Sequence, residues 1–524
     1  MYRNKKVLII GIDGATLTLI KPWIEKNLLP TFKKLYENGV YGTLMSTIPP
    51  LTPPAWTSAF TGVNPGRHNI YDFFMKDGYN KKIISSRNRR AKAIWQLKEK
   101  KCIIINVPQT YPPEEIKGVM ISGMGTPGSA NDFTYPLTIK NELIKKNYII
   151  DYSDIFDLIT NKELYIRKIY EMIEKRTETA IEFMKNYKWD IFVIIFTATD
   201  RVQHFFWRYM DENDKKFGSV IYNTYLKIDE AINKFLKNID ENTYTIIFSD
   251  HGFGPLYYDV YINNYLQELG ILKLNKNKRN VLYKILNTKN LIKIGNLMSK
   301  FGLSSLVRWS YIKLKKNFIN LDLKNIDWSN TKAWFYSHSG QSIRINLKGR
   351  EPQGIVDKSE YDDLINKITE ELLSLKHNGR RLIKKVYKAN EIYKGSYIEN
   401  APDLIILPED GYALQQGFSD ELILPAKQGP AERSGDHRLE GIFFSCGPDI
   451  KKGEKLDGAK IYDIAPTILH ILGVPIPKDM DGRVLKEIFR EDSELAKREI
   501  IYTKESEEDK IKENIRKLKD MGKI

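Results

Sequence analysis

Three short apolar runs in this chain each lead into an aspartate, and that repetition limits what the chain can fold into. Val7 to Ile12 precedes Asp13, Ile191 to Thr197 is followed by Ala198-Thr199-Asp200, and Tyr244 to Phe248 by Ser249-Asp250. A fourth run, Cys102 to Asn106, has the same unbroken apolar character. Strands that read as continuous apolar segments belong to a sheet covered on both faces. Between the runs, Glu163 to Tyr187 and Phe217 to Asn238 carry apolar residues at helical spacing without proline, as covering helices would. The expected class is therefore α/β. In an open α/β sheet the carboxyl ends of the strands border the binding crevice, so aspartates at three strand ends would converge on one small volume. A single one would be ordinary, because Asp commonly caps or turns the chain at such a place.

At 524 residues the chain exceeds one ordinary domain, which predicts a large core with a substantial insertion. After Pro255 the pattern becomes rich in Lys and Asn and shows no clear strand until about Thr331. Strand-like and helical pieces follow, from Ile343-Arg-Ile-Asn-Leu through Asp403-Leu-Ile-Ile-Leu-Pro, and are expected to form a cap. Apolar sequence returns at Gly441 to Ser445, and a helix over Ile464 to Leu472 is closed by Gly473 and Pro475. The expected organisation is a catalytic core of residues 1–255 and 430–490, an inserted cap of 256–429, and a charged tail of 491–524.

Residues 271–320 hold twelve Lys or Arg and no acid, supplying most of the net charge of +16. A solvated lysine-rich surface is the favoured reading of this helical segment. Nucleic acid or an anionic membrane surface is the alternative partner. The run Val7-Leu-Ile-Ile is too short for a signal segment or a membrane span, and Cys102 and Cys446 are the only cysteines. Both point to a cytoplasmic, reducing location.

Three of the seven histidines stand beside the strand-end aspartates or in a similar context. Asp200 and His204 are four apart where a strand gives way to a helix, which places them on one face. Asp250 and His251 are adjacent at a strand tip, and His437 lies in Ser-Gly-Asp-His-Arg just before another apolar run. With Asp13 these make an oxygen and nitrogen donor set suited to Zn²⁺, Mn²⁺ or a related divalent ion. His68 reads as a packed or capping histidine. His338, in Tyr-Ser-His-Ser-Gly, is the reserve candidate for substrate contact, and His377 and His470 fall in helical patterns with surface or core roles. Thr52, in Pro-Leu-Thr-Pro-Pro-Ala-Trp, opens a helix that ends near Gly62. Locally it reads as a capping threonine. The same position would point free N–H groups and the positive end of the helix dipole at a phosphate.

These residues together resemble the type I phosphodiesterase and nucleotide pyrophosphatase branch of the alkaline phosphatase superfamily. The likeness rests on Gly-Ile-Asp-Gly at Asp13, Thr-x-Pro at Thr52, and Thr-Gly-x-x-Pro-x-x-His at Thr61 to His68. It continues with Asp-x-x-x-His at Asp200, Ser-Asp-His-Gly at Ser249, Gly-x-His at Gly435, and the closing Asp463-Ile-Ala-Pro-Thr and Met480-Asp-Gly-Arg. It is similar in particular to members described as predicted phosphohydrolases or phosphomutases. The resemblance implies a three-layer α/β/α sandwich with a mixed, mostly parallel central sheet and an inserted cap. It implies one divalent metal on Asp200, His204 and His437 and another on Asp13, Thr52, Asp250 and His251, with zinc expected first and manganese as the alternative. Thr52 would be the nucleophile, forming a covalent phosphothreonine, and the substrate a phosphorylated small molecule or nucleotide-like diester or pyrophosphate.

Ala55 stands where family diesterases often carry an Asn that holds a phosphate oxygen, so Arg67, Arg438 or a backbone amide is expected to take that part. Thr52-Pro-Pro does not fit the Cys-or-Ser, Pro, Arg pattern of sulfatases. Two other outcomes stay open on sequence: transfer of the phosphoryl group to another hydroxyl, as in a mutase, and a non-catalytic binding protein that uses the basic segment.

Overall fold

The computed structural model describes residues 5–97, 100–275, 323, 325–336, 341–426 and 432–503. His338, most of the basic segment 271–320, and the tail beyond Thr503 lie outside the described residues.

The apolar runs pair into a nine-stranded sheet. Its strands, in chain order, are β1 (Lys6–Ile12), β2 (Val40–Met45), β3 (Cys102–Ile105), β4 (Gly118–Ile121), β5 (Thr134–Tyr135), β6 (Ile191–Phe196), β7 (Thr243–Phe248), β8 (Glu440–Cys446) and β9 (Glu454–Lys460). The spatial order is β9-β2-β8-β7-β1-β6-β3-β4-β5. β1 lies parallel to both β6 and β7, with Ile12 opposite Phe196 and Gly11 opposite Phe248. β8 runs antiparallel to β2 and to β7, so the residues entering β8 sit at the carboxyl edge of those two neighbours. The sheet is mixed and mostly parallel, as expected.

Both faces are covered, which is why the central strands are almost wholly apolar. Leu8, Ile10 and Ile12 of β1 face one layer, and Val7 and Ile9 face the other. The first layer includes the helices Lys162–Asn186 and Val220–Leu236, whose boundaries fall within three residues of those read from periodicity. The second includes α1 (Thr52–Thr61) and α2 (Ile464–Leu472). α2 stops at Gly473 in the left-handed region (φ 67°), the conformation that a side chain disfavours.

The sequence beyond Pro255 departs from its expected reading. The strand Gly252–Tyr261 continues through that proline and is followed by the helix Ile262–Glu268. Its first half pairs with Gly435–Arg438 and its second half with Gly411–Gln415 and Ile423–Pro425, so one strand links the central sheet's crevice to the later segment. Pro255 is accommodated because it sits where the strand changes partners, and it faces Gly435 without needing to donate. A separate four-stranded sheet, Ala333–Phe335, Ser342–Ile345, Leu404–Pro408 and Ile383–Lys388, packs with the helix Tyr361–Ser374 around a third apolar cluster.

His68 is buried against α1, in keeping with the packed role read from its sequence. Its Nδ1 accepts the Ile70 N–H (3.1 Å), so the proton sits on Nε2 and is donated to Ser58 Oγ (2.9 Å). Burial pushes its pKa down from 6.5 to about 3. The folded pKa lies below the unfolded one, so in acid the unfolded chain takes up a proton that the folded chain refuses. Stability is therefore lost as pH falls from 6.5 toward 3, at about 1.4 kcal/mol per pH unit. Denaturant unfolding of His68→Gln between about pH 6.5 and pH 5 should show a slope shallower by that amount. An unchanged slope would remove His68 as a source of acid sensitivity.

Candidate metal centre and nucleophile

Each element delivers its side chain to the carboxyl edge of the sheet for a local reason. Asp13 is the first residue after β1, where its N–H donates to Phe196 O (2.9 Å) and its carbonyl accepts from Thr199 Oγ (2.5 Å). Gly14 then turns in the left-handed region (φ 68°), which lets its N–H donate to Asp250 Oδ1 (3.2 Å). A Cβ there would lie 2.9 Å from the Phe253 ring. Asp200 and His204 lie one turn apart on the helix Ala198–Asp211 that follows β6. Asp250 and His251 follow β7, and His437 lies in the strand Gly435–Arg438 that pairs with Gly252–Pro255.

All three histidines are held the same way. The Nδ1 of His204 faces Gly435 O (3.1 Å), that of His251 faces Gly252 O (3.1 Å), and that of His437 faces Pro50 O (2.9 Å). A carbonyl can only accept, so each Nδ1 carries the proton and each Nε2 presents a lone pair inward. His437 Nε2 is 3.1 Å from His204 Nε2, and both are 3.2 Å from Asp200 Oδ1. Two imine lone pairs and a carboxylate oxygen at that spacing repel one another unless a cation lies among them. A triangle with edges of about 3.2 Å is also the face of a tetrahedron whose centre lies about 2.0 Å from each corner, the usual length of a metal bond to nitrogen or oxygen.

A second group meets beside it. His251 Nε2 lies 3.2 Å from Asp250 Oδ2, 3.6 Å from Asp13 Oδ1 and 3.3 Å from Thr52 Oγ. Asp13 Oδ1 and Asp250 Oδ2 are buried and, among the described residues, have no hydrogen-bond partner. Burial, with Asp250 and Asp200 nearby, raises Asp13 well above the usual carboxylate range, and burial pushes Asp250 up to about 8. Burial also drives His251 well below 6.5. Two orphaned carboxylate oxygens, three inward lone pairs and a serial excess of negative charge form a donor set that fits divalent cations.

The structure thus brings Asp13, Thr52, Asp200, His204, Asp250, His251 and His437 together. Thr52 differs from its local capping reading: Leu51 occupies the cap position, and the Thr52 hydroxyl faces His251 instead. The helix end also offers less than expected, because Pro53 and Pro54 carry no N–H and leave Thr52 as the sole amide donor among its first three positions. Arg438 and Arg67 are engaged elsewhere. Arg438 alternates away from His437 and reaches Pro255 O (2.6 Å) and Asp410 (3.0 Å), while Arg67 Nε donates to Asp481 (3.1 Å).

Two residues were missed from sequence. Asp436 has a carboxylate oxygen within 4.8 Å of donor nitrogens on His204 and His437, and it is tied to Arg433 (2.7 Å). Arg201 places Nη1 3.6 Å from Asp200 Oδ2, on the side away from the histidines, and is held by Asp151 (2.8 Å), which also accepts from Thr197 Oγ. No spacing rule marks Arg201, since its role depends on Asp151, fifty residues upstream. Arg201→Ala is expected to weaken divalent-ion binding about 10- to 100-fold, with Arg201→Lys recovering part of the loss. Calorimetric titration with Mn²⁺ or Zn²⁺ measures it, and equal affinities in all three proteins would refute it.

An α/β sheet with a helix-borne threonine and two metal-type donor groups at its carboxyl edge defines the class of alkaline-phosphatase-like phosphoryl-transfer enzymes. Residues 7–438 match the type I phosphodiesterase / nucleotide pyrophosphatase family, and the chain belongs to that family. It is accordingly a phosphohydrolase of a family that works with divalent metals on phosphorylated or nucleotide substrates. The fold is similar to that of phosphonoacetate hydrolase from Sinorhizobium meliloti 1021, with 12% identity, a TM-score of 0.54, and 90% of this chain and 96% of that chain covered. It is also similar to human ectonucleotide pyrophosphatase / phosphodiesterase 5, with 15% identity, a TM-score of 0.50, and coverage of 92% and 98%. No curated protein sequence gives a significant match. Among the described residues, no helix is long and apolar enough to cross a membrane.

Proposed function

We propose that this protein hydrolyses a phosphodiester or nucleotide-type pyrophosphate bond through a covalent phosphothreonine at Thr52, with residues 256–429 as a cap over the crevice. The observation that carries this is the Thr52 hydroxyl at 3.3 Å from His251 Nε2, beside the orphaned oxygens of Asp13 and Asp250 and next to the Asp200, His204 and His437 triangle.

In this reading Asp200, His204 and His437 hold one divalent ion, zinc or manganese, and Asp13, Asp250, His251 and Thr52 hold a second. When bound, such a pair offsets the charge that grows on the phosphoryl oxygens during transfer. Thr52 Oγ forms a bond to phosphorus as the bond to the leaving alcohol or phosphate breaks, and the Thr52 proton passes through solvent to the departing oxygen. Water then attacks the same phosphorus opposite the Thr52 ester, releasing the product and restoring the hydroxyl. The segment Pro49 to Leu51 that leads into Thr52 is tied to the site where His437 Nδ1 donates to Pro50 O (2.9 Å).

The test is release of nitrophenolate from bis(4-nitrophenyl) phosphate and from 4-nitrophenyl phosphate, before and after chelation. Diester turnover that stops on chelation and returns with Zn²⁺ or Mn²⁺ supports the reading. A protein that cleaves only the monoester would instead be a phosphatase or phosphomutase on the same site.

A further inference from the structure

The turn that follows β1 is held by side chains from two other parts of the chain. The carbonyls of Asp13, Gly14 and Ala15 accept in turn from Thr199 Oγ (2.5 Å), Gln203 Nε2 (2.9 Å) and Ser249 Oγ (2.9 Å). The donors of the turn are engaged as well: the Gly14 N–H donates to Asp250 Oδ1 (3.2 Å) and the Thr16 N–H to Tyr225 Oη (3.3 Å). Thr199, Gln203, Tyr225, Ser249 and Asp250 are fully buried, so water does not compete for these bonds.

The orientation of the Gln203 amide follows from its partners. Gly14 O can only accept, so the amide nitrogen faces it, and Gln203 Oε1 accepts the Tyr225 hydroxyl proton (3.1 Å). That proton is available because the same hydroxyl accepts from the Thr16 N–H. The bonds close into a ring that starts and ends on the turn.

Thr199 and Gln203 lie four residues apart on the helix Ala198–Asp211, and Asp200 and His204 repeat that spacing one position further on. At 3.6 residues per turn the two pairs face directions about 100° apart. One turn of helix therefore serves both donor groups. Asp200 and His204 belong to the group completed by His437, while Thr199 and Gln203 hold the backbone that carries Asp13. The Asp13 carbonyl and the Gly14 N–H belong to one planar peptide, which is fixed at one edge by Thr199 and at the other by Asp250. With its Oδ1 so occupied, Asp250 turns Oδ2 toward His251 Nε2 (3.2 Å). The helix has no slack at this point: a Cβ on Gly435 would lie 2.3 Å from Gln203 O, and Gly435 O accepts from His204 Nδ1.

We propose that Thr199 and Gln203 are positioning residues for the Asp13, Asp250 and His251 group. Acting through the backbone of the turn, they aim the Asp13 and Asp250 carboxylates at the ion which that group would hold. The inference rests on the two-ion part of the function proposed above.

These bonds stabilise the fold in any case, and the test separates support of the fold from support of the ligands. Mn²⁺ is titrated by calorimetry into the full-length protein after its ions have been stripped with chelator. Wild type is expected to take up two ions. Thr199→Val and Gln203→Met, which are close in size and remove the donor, should each weaken one ion by about 10- to 100-fold and leave the other within about threefold. Thr199→Ser keeps the hydroxyl and should stay within about threefold of wild type for both. Beside Asp13→Asn, Thr199→Val should cost less than about a further threefold, because the carboxylate it positions is gone. A general loss of stability does not produce that dependence. If the variants melt lower yet bind both ions as tightly as wild type, the bonds serve the fold alone and the proposal is overturned. It is equally overturned if both ions weaken together, as a shift of the whole helix would cause, or if Thr199→Val costs as much beside Asp13→Asn as in wild type. A wild type that takes up a single ion counts against the two-ion reading. The proposal is then judged on that ion, and falls if Thr199→Val and Gln203→Met leave its affinity unchanged.

Discussion

Thr52→Ala is expected to lower diester turnover by at least about a thousandfold while leaving divalent-ion affinity within about tenfold of wild type. The asymmetry follows from what the substitution removes. It deletes one hydroxyl from a buried position and leaves Asp13, Asp250 and His251, the other donors of that group, in place. It also leaves Ala55 N–H bonded to Leu51 O, so the start of α1 persists. Thr52→Ser retains a nucleophilic oxygen and should stay within about a hundredfold of wild type. Quenching in acid during turnover of a diester labelled with radioactive phosphorus should leave label on Thr52 in wild type and none in Thr52→Ala. Near-normal turnover by Thr52→Ala would mean that water attacks the substrate directly, and the covalent route would be abandoned.

The parts of this architecture that could be read from sequence are those where burial is one-sided in its demands. β1, β6 and β7 are covered on both faces, so nearly every position is apolar and their limits fall within a residue or two of the apolar runs in the sequence. The aspartates stand out because they interrupt such runs. β9 was not legible for the opposite reason: as an edge strand of sequence Glu-Lys-Leu-Asp-Gly-Ala-Lys it buries only Leu456 and Ala459, which is no pattern at all. β5 is two residues long and defeats any periodicity.

Sites assembled from distant chain follow the same division. Asp200 and His204 declare themselves by a helical spacing of four, whereas Arg201 gains its meaning from Asp151, fifty residues earlier in the chain. Thr52 shows the limit most clearly. Its local sequence is that of a cap, and only the fold, by bringing His251 to 3.3 Å, turns the hydroxyl toward another use. Proline at two successive positions also removes one of the two amides that a capping threonine would serve, and the other, Ala55 N–H, donates to Leu51 O instead.

Removing the ions should expose a conflict at Asp13 that a single substitution resolves in one state and worsens in the other. Asp13 is fully buried, and among the described residues its Oδ1 has no donor and its Oδ2 receives only the Trp56 indole N–H at 3.3 Å. Without a cation, burial and the nearby Asp250 and Asp200 carboxylates disfavour its charge, as its raised pKa reports. Asp13→Asn keeps the shape and removes that charge, so the ion-free protein should become more stable by about 1–3 kcal/mol. With ions the sign reverses. At about a hundred times its Kd each bound ion stabilises the folded chain by about 2.7 kcal/mol, and an amide in place of a carboxylate weakens the second ion enough to forfeit most of its share. Thermal unfolding with chelator and with excess Mn²⁺ or Zn²⁺ therefore yields four melting temperatures with crossed order: the variant above wild type without metal, below it with metal. If Asp13→Asn lowers both and keeps the full metal-induced rise, Asp13 serves the fold through Trp56 and is not a ligand, and the second ion would have to be held by Asp250, His251 and Thr52 alone.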